Sequence, residues 1–562
     1  MGAPTVAWTE IDGVNVVHGD ELGPLRASLV FRIGKTDEYL HANGLTHLAE
    51  HLALFALGQP PHYQNGAVRT CVTSFDTIGD PEQVVTFVRG VCESLGRLDG
   101  ERLEAETRVL EVEAQQRGRG LSSVMFLWRY GAGGPGLWGF DEYAVRTATA
   151  ESVQMWADHV FRAGNAALVL SGPPPAGLRM PLAAGQRLHV PALEPLLPRT
   201  PAQFRVDRPQ VGGLAAVRRS VAASMYSDLL RRRLVERLRR DLAVSYSPTA
   251  EYDRYDAETA HVLVEADVHP DHLAAAAEAL HGVVDEMADD GVAEAEITAS
   301  LDEARRSREL ADSGTRAYVE ALGWLLSGER TSWDAFWDET QALTPDQLLA
   351  PAQQARDDML YAVPSGSELD VDQVALAPRS SLEPELGGDF LTPTQEAPAG
   401  SRLAASAEGV ERIWPDGTRS TVRYDNCRAA LAWPSGARIL IGPDATAVGV
   451  EPRAWMEALD LITEIDRRTE RVAVVMHEPA TASAQPSRPA PEGIGWQAAM
   501  LIALVCLGGS VAATGMGLVL AREDPASGFL VIALALVTVG VFGAWLLRYA
   551  VRERNRQRSP PE

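Results

Sequence analysis

The apolar positions of the first 375 or so residues alternate between two kinds of spacing. Short runs rich in Val, Ile and Leu have the character of strands, whereas long Ala- and Leu-rich stretches such as 272–287 have helical spacing. Strands are predicted at 14–18, 27–33, 68–75, 166–170, 214–217, 245–252 and 261–267. Strands that alternate with long helices predict an α+β fold, with helices covering one face of a sheet.

The two halves of this region repeat each other. A glutamate-rich segment at 104–114 recurs 190 residues later, which brings Glu106 onto Glu296 and Glu113 onto Glu303. A repeat of this kind indicates the duplication of one structural unit. We therefore predict two duplicated α/β subdomains, at residues 1–195 and 200–375.

The rest of the chain divides by composition. Linkers rich in Pro, Ala and Ser are predicted at 376–405 and 479–493, on either side of a small β-rich domain at 406–478 that is loosely similar to a pleckstrin-homology module. Residues 494–547 hold two uncharged apolar runs and a very short polar loop, which predicts two transmembrane helices in a hairpin. The basic tail at 548–562 and the lack of a signal peptide predict a bacterial plasma-membrane protein whose N-terminal domains face the cytoplasm.

Composition narrows the range of partners. The chain has 562 residues and a net charge of −25 at pH 7, which argues against nucleic acid. Lys35 is its only lysine, so arginine supplies the rest of the basic side chains. The spacing of the four cysteines fits neither a zinc knuckle nor a disulfide framework, and reduced thiols fit a cytoplasmic compartment. They are Cys71, Cys92, Cys427 and Cys506.

Residues 47–51 read His-Leu-Ala-Glu-His and carry the sharpest chemical signal. They fall in a predicted helix over 43–58, on which His47 and His51 lie one turn apart on the same face. Two imidazoles at that spacing can bind one Zn²⁺, and Glu50 beside them can take a proton from water. The alternative is a core helix with two hydrogen-bonded histidines.

A catalytic zinc site needs a third protein ligand. A predicted helix over 100–117 carries Glu106 and Glu113 two turns apart, on a face that also holds leucines. Carboxylates on such an inward face need a partner, which a metal supplies. Glu104 and Glu111 form a competing pair, and a solvated acidic helix is the alternative.

Segments 32–38 and 44–51 together resemble the pitrilysin/insulinase zinc peptidases, which include the mitochondrial processing peptidases. They read Arg-Ile-Gly-Lys-Thr-Asp-Glu and Gly-Leu-Thr-His-Leu-Ala-Glu-His. In that family a second glutamate precedes the third ligand by seven positions, with aliphatic residues between, as in segment 106–113. The resemblance implies a zinc metalloendopeptidase with zinc ligands His47, His51 and Glu113, the general base Glu50, and Glu106 in support. The distance along the chain from His51 to Glu113 is shorter than is usual in the family, which implies a trimmed loop or strand.

The resemblance also covers segment 238–247, where Arg239 and Tyr246 lie seven positions apart. Such a pair holds substrate carbonyls and stabilises the oxyanion of the tetrahedral intermediate. The alternative is an exposed arginine run with Tyr246 in a core. The predicted strand at 68–75 is either an edge strand that accepts an extended peptide by β-augmentation or an ordinary inner strand.

Residues 1–375 resemble one half of the two-part chamber in which this family cleaves peptides or unfolded polypeptides. The resemblance therefore implies a second half from another molecule, which we expect to be a second copy in a homodimer, or else a different subunit. The other hypothesis is a membrane scaffold or non-catalytic partner subunit that keeps the peptidase fold for binding.

Overall fold

The computed structural model describes residues 6–58, 62–117, 119–367, 369, 371 and 373–476. The predicted linker at 479–493, transmembrane hairpin at 494–547 and basic tail at 548–562 lie outside the described residues. Within the described part of the chain, no helix is both long and apolar enough to span a bilayer.

The first sheet has six strands in the order β1-β2-β6-β3-β5-β4. These are β1 (Ala7–Ile11), β2 (Val14–His18), β3 (Leu25–Phe31), β4 (Gln64–Val68), β5 (Thr73–Gly79) and β6 (Ala166–Leu170). The helices of this part are α1 (Leu45–Phe55), α2 (Pro81–Gly96), α3 (Leu103–Arg117), α4 (Leu121–Tyr130), α5 (Ala144–Thr147) and α6 (Ala150–Val160).

The second sheet follows the order β12-β7-β11-β8-β10-β9. Its strands are β7 (Ala202–Val206), β8 (Gln210–Arg218), β9 (Thr249–Arg254), β10 (Thr259–Asp267), β11 (Leu360–Pro364) and β12 (Ala375–Leu376). Its helices are α7 (Val221–Leu234), α8 (Leu273–Asp289), α9 (Glu294–Leu310), α10 (Ser313–Ser327), α11 (Trp333–Gln341) and α12 (Pro345–Asp358).

The strand pairing of the two sheets reveals the duplication. In the first, β2 is parallel to β6, and β6, β3, β5 and β4 then pair antiparallel in turn. In the second, β7 is parallel to β11, and β11, β8, β10 and β9 repeat the antiparallel series. Five strands of each sheet thus pair in the same order and the same directions, which confirms the predicted α+β fold of two repeated units.

Each sheet is covered on both faces, whereas the sequence suggested one. Val84, Phe87 and other residues of α1, α2 and α6 pack on one face of the first sheet, while α10 covers Val17 and Val169 on the other. In return, α4 packs Met125 and its neighbours on the second sheet. Helix α10 of the second unit therefore covers the first sheet, and α4 of the first unit covers the second sheet. Hydrophobic periodicity within either unit cannot reveal such contacts between units.

The predicted strand at 68–75 was wrong as a single element. Val68 ends β4 and Thr73 begins β5, so the segment turns through a hairpin whose strands pair antiparallel. Apolar alternation continues across the turn because Cys71 and Val72 are themselves buried. The sheet has two outermost strands, β4 at one edge and β1 at the other.

A smaller β-rich domain follows, with two four-stranded sheets in the orders β13-β14-β15-β16 and β19-β18-β17-β20. The strands are β13 (Asp389–Phe390), β14 (Arg402–Ala405), β15 (Gly409–Ile413), β16 (Arg419–Arg423), β17 (Ala429–Ala432), β18 (Arg438–Ile441), β19 (Ala447–Val450) and β20 (Ala473–Val475), with helix α13 (Ala458–Thr469). Segment 376–405 supplies two of these strands, so that part of the chain belongs to the domain and does not act as a linker. Pro and Gly concentrate there because the strands are short and the turns many.

A buried tyrosine and histidine join α4 to the second sheet. The Tyr130 hydroxyl and His261 Nε2 form a hydrogen bond of 2.6 Å, and His261 is fully buried in β10. Burial, helped by the nearby Arg129 guanidinium, lowers the pKa of His261 from 6.5 to about 3. The folded protein therefore holds this imidazole neutral at pH values where the unfolded chain protonates it.

This contact predicts a pH-dependent contribution to stability. Because the folded pKa is depressed, the contribution is present above pH 6.5 and is lost as the pH falls towards 3. Relative to the His261→Gln variant, the wild type should lose about 1.4 kcal/mol of unfolding free energy between pH 7.5 and 5.5. Urea unfolding of both proteins at the two pH values measures the difference, and parallel changes would contradict the prediction.

Candidate metal centre

Helix α1 is held at its N-terminus by a buried carboxylate. Glu38 accepts hydrogen bonds from the backbone N–H of Gly44 at 2.8 Å and of Thr46 at 2.7 Å, which satisfies donors that the first turn of a helix leaves free. Gly44 has a φ of 106°, a conformation that favours glycine. The Thr46 hydroxyl also accepts from the Trp156 indole at 3.0 Å.

The loop before α1 is fixed by a buried ion pair. Arg32 is fully buried and pairs with Asp37 five residues later. Its guanidinium also donates to the backbone carbonyl oxygens of Cys71 at 2.8 Å and His189 at 3.0 Å. Segment 32–38, which carried part of the family resemblance, thus anchors the helix that presents His47.

Three donor atoms from two helices face one another. Glu113 Oε2 on α3 lies 3.8 Å from His47 Nε2 and 3.6 Å from His51 Nε2 on α1. Glu50 Oε2 lies 4.0 Å and 3.8 Å from the same two nitrogens. The ligand atoms of His47, Glu50 and His51 all lie within 4.8 Å of one another.

Each histidine is oriented from behind by a carboxylate. His47 Nδ1–H donates to Glu142 Oε2 at 2.9 Å, and His51 Nδ1–H donates to Glu106 Oε2 at 3.3 Å. A carboxylate can only accept, so the proton lies on Nδ1 and the Nε2 lone pair faces the other ligands. This is the outer-shell arrangement of metal-binding histidines.

The structure separates the two glutamate pairs of α3. Glu106 and Glu113 point towards α1, as the contacts above describe. Glu111 instead pairs with Arg146 at 2.7 Å, and Glu104 pairs with Arg108 at 2.7 Å on the exposed surface. Of the two pairs, the first is thus the one brought to the histidines.

The carboxylates also set the protonation of the site. Burial lowers the pKa of His47, but the hydrogen bond to Glu142 and the charges of Glu142, Glu50 and Glu113 outweigh it, so the pKa is raised. Burial and the neighbouring His47 lower the pKa of His51 in spite of Glu106. Burial alone would raise the pKa of Glu142, but its contacts with His47 and Lys35 lower it well below its usual range.

This donor set fits a zinc ion. A tetrahedral ion with bonds of about 2.0–2.2 Å separates its ligand atoms by roughly 3.4 Å, close to the 3.6 and 3.8 Å found between Glu113 and the imidazoles. Two imidazole nitrogens and one carboxylate oxygen form a common catalytic zinc set. The surplus of carboxylates around His47 and His51 also favours a cation over a neutral ligand.

The donors open onto a cavity of about 740 Å³. Its walls include the edge strand β4, and Gly66 in that strand faces Glu50. A Cβ on Gly66 would collide with Glu50 Oε1, so a larger residue at position 66 would force this carboxylate to shift. A second cavity of about 880 Å³ shares Lys35, Trp138 and Glu142 with the first and reaches β9 of the second sheet.

Arg239 and Tyr246 contact each other away from both of these cavities. The Arg239 guanidinium lies 4.9 Å from the centre of the Tyr246 ring, and 79% of Tyr246 is exposed. Neither residue lines the cavity at the histidines or the one beside it. The expected alternative of a Tyr246 in a core is wrong, and a role in binding substrate carbonyls stays a prediction.

The second structural unit shows what the same helices do without histidines. Glu296 and Glu303 on α9 occupy the positions of Glu106 and Glu113, and they pair with arginines of α7. Arg233 contacts Glu296 at 2.9 Å and Arg232 contacts Glu303 at 2.6 Å. In the second unit, both glutamates are thus paired with guanidinium groups and face no histidine pair.

Sequence reasoning missed Glu142, Lys35 and Trp138. Glu142 follows a glycine-rich helical turn, Gly134–Gly139, that has no helical or strand periodicity and so gave no signal. Lys35 is buried, with Nζ 2.6 Å from Glu142 Oε1 and 5.2 Å from the centre of the Trp138 ring. Two signals could have pointed to Lys35: it is the only lysine, and it lies in segment 32–38, which carried part of the family resemblance.

The fold is that of the M16 peptidases, the pitrilysin/insulinase fold. A protease from Helicobacter pylori superposes with a TM-score of 0.56 at 13% identity, over 64% of this chain and 99% of that one. An inactive M16 peptidase domain from Pseudomonas fluorescens gives 0.54 at 15% identity, over 64% and 97%. A putative M16-like peptidase from Alicyclobacillus acidocaldarius gives 0.51 at 16% identity, over 64% and 99%.

No protein-family model matches the sequence, and no curated protein matches it significantly. The likeness therefore lies in the three-dimensional arrangement, and at these identities it establishes the fold alone.

The position of Glu113 predicts which acidic side chain binds zinc. Glu113→Gln should weaken zinc affinity by more than about 100-fold, because the loss of a ligand exceeds the usual effect of a supporting residue. Glu111→Gln, a matched change on the same helix, should stay within about twofold because its carboxylate pairs with Arg146. Competition with a chromophoric chelator measures both affinities, and equal losses would contradict the assignment.

Proposed function

We propose that this protein is a zinc-dependent endopeptidase that hydrolyses peptides or unfolded polypeptides. The observation that carries the proposal is the convergence of His47 Nε2, His51 Nε2 and Glu113 Oε2, with Glu50 beside them. The M16 peptidase fold of the structural matches supports the peptidase class, and the family resemblance implies zinc at these three side chains.

The chain's own residues have distinct roles in this proposal. Zn²⁺ held by His47, His51 and Glu113 would supply a Lewis acid for water and for the scissile carbonyl. Glu50 accepts a proton from the attacking water and donates it to the leaving amine nitrogen. Glu106 and Glu142 keep the two imidazoles oriented while charge changes beside them.

The edge strand β4 offers a way to bind substrate. It lies along the cavity that holds the donors, and its pairing with β5 uses one side only of its backbone. An extended peptide can add to the other side through main-chain hydrogen bonds, which tolerates many side chains. Arg239 and Tyr246 are proposed to bind substrate carbonyls on the family resemblance alone.

Replacement of the proposed base tests the function. Glu50→Gln should still bind zinc but cleave an unfolded, casein-like fluorogenic substrate about 10²- to 10⁴-fold more slowly, since it cannot take a proton. Glu104→Gln is the matched control, because Glu104 lies on the exposed face of α3. Activity must also be lost with a chelator and return with Zn²⁺.

The alternative is a non-catalytic peptidase fold that serves as a scaffold or partner subunit. The presence of an inactive M16 peptidase domain among the structural matches supports this alternative. A wild-type protein that binds zinc yet cleaves no unfolded substrate would support it. A Glu50→Gln variant as active as the wild type would overturn the proposed role of that residue.

We further propose that the full chain is a homodimer tethered by residues 494–547 to the inner face of the plasma membrane. One copy corresponds to the whole of the Helicobacter pylori protease chain, and 99% of that chain is covered. A two-part chamber would then need a second copy. Light scattering of the detergent-solubilised chain should give the dimer mass, and dilution should reduce the specific activity, whereas a fully active monomer would contradict the proposal.

A further inference from the structure

Lys35 is an exception in a chain that otherwise uses arginine. Lysine and arginine number 51 together, and Lys35 is the only lysine. It is 3% exposed, and its ammonium lies 2.6 Å from Glu142 Oε1. An ammonium is a compact charge on a narrow stem, whereas a guanidinium is a broad planar fork. The contact with Glu142 is short and buried and involves one carboxylate oxygen, so it suits the compact ammonium of lysine better than a guanidinium.

The backbone at Lys35 is held by two hydrogen bonds to the turn between β4 and β5. Lys35 N–H donates to Arg69 O at 2.9 Å, and Thr36 N–H donates to Thr70 O at 3.0 Å. A Cβ on Gly34 would collide with the same hairpin, which shows how closely the two backbones approach. The ammonium is therefore delivered to Glu142 by a rigid support, the loop already anchored by its buried ion pair.

Behind each histidine a glutamate accepts a hydrogen bond from the imidazole and pairs with a cationic side chain, but the distances in the two series differ. At His47 the series runs Lys35, Glu142, His47 with distances of 2.6 and 2.9 Å. At His51 it runs Arg102, Glu106, His51 with both distances 3.3 Å. The side chain of Lys35 is 4% exposed and that of Arg102 is 39% exposed, so water screens the second series more.

We propose that Lys35 is the main positioning residue of the metal centre: it holds Glu142 against His47 and thereby sets the affinity of the site for zinc. Arg102 has the corresponding place at His51 and contributes much less. The inference rests on the proposed zinc site and adds the residue that determines how tightly that site binds.

The physical reason is the crowding of negative charge. Glu50, Glu113 and Glu142 all act on His47, and Lys35 is the cation that contacts Glu142 directly. Without the ammonium, Glu142 would lose its ion pair and keep, of the two contacts, the one with His47, and removal of one partner of a buried pair leaves a costly charge. The carboxylate would turn away or attract solvent, and His47 would lose its fixed orientation.

Zinc affinity of matched variants tests this. Lys35→Met keeps an unbranched apolar stem and should bind zinc about 10- to 100-fold more weakly, the usual loss for an outer-shell partner. Arg102→Met should lose no more than about threefold, because its contact is longer and exposed. Arg108→Met, which breaks an exposed Arg–Glu pair on α3, should bind like the wild type.

A double-mutant cycle shows whether Lys35 acts through Glu142. If it does, Lys35→Met combined with Glu142→Gln should bind zinc no worse than about twice the larger single loss. Independent losses that multiply would overturn the proposal, as would a Lys35→Met affinity within about twofold of the wild type. The double variant also has no buried unpaired carboxylate, so it provides a folded comparison if Lys35→Met alone does not fold.

The lone lysine provides its own probe of the contact without metal. An amine-acetylating reagent targets the two kinds of amine in the chain, Lys35 and the α-amino group, and mass mapping of proteolytic peptides measures the rate at each site. Glu142→Gln should speed the acetylation of Lys35 at least about tenfold, since the neutral amide releases the ammonium, whereas Glu104→Gln should not. Equal rates in the three proteins would overturn the Lys35–Glu142 pairing.

Failure of this inference and failure of the proposed function are separable. A wild type that binds zinc without cleaving peptides refutes the function, and the affinities above still decide the role of Lys35. A wild type without zinc affinity refutes both. An active enzyme whose zinc affinity is indifferent to Lys35 refutes this inference alone.

Discussion

The structure depends on one electrostatic constraint, the gathering of carboxylates around two imidazoles. Carboxylate oxygens of four glutamates lie within 4.0 Å of an imidazole nitrogen of His47 or His51, which concentrates negative charge around the two rings. They belong to Glu50, Glu106, Glu113 and Glu142. Lys35 and Arg102 offset part of this charge, and the proposed zinc ion between the rings would offset more of it. Helix α1 is held in place by buried groups that keep the imidazoles where that charge collects.

The second unit shows that the fold does not by itself require a metal. It repeats the sheet order and the glutamate spacing of the first, yet Arg232 and Arg233 face its glutamates. The corresponding helices of the two units thus hold either the donor set described above or two Arg–Glu ion pairs, depending on the side chains that they carry. Chemistry on such a scaffold resides in the residues of the site, as the existence of inactive domains with this fold also indicates.

Much of the fold could be predicted because its elements have clean periodicity. The strands at 14–18 and 166–170 were predicted to the residue, and the helices that carry His47 and Glu113 were predicted within a few positions. Prediction failed where burial came from a distant part of the chain. The turn between β4 and β5 looked like a strand because it is buried, and the exchange of α4 and α10 depends on contacts between units.

For the site, the sequence by itself determined the ligand types and their spacing, because i and i+4 residues on a helix must share a face. It left two glutamate pairs on α3 open, and it gave no indication of Glu142. Only the tertiary structure decided these points, because which face of α3 meets α1, and which loop reaches behind His47, depends on packing between elements far apart in the chain. The order of residues along a helix determines which side chains share a face, whereas tertiary packing determines which residues that face contacts.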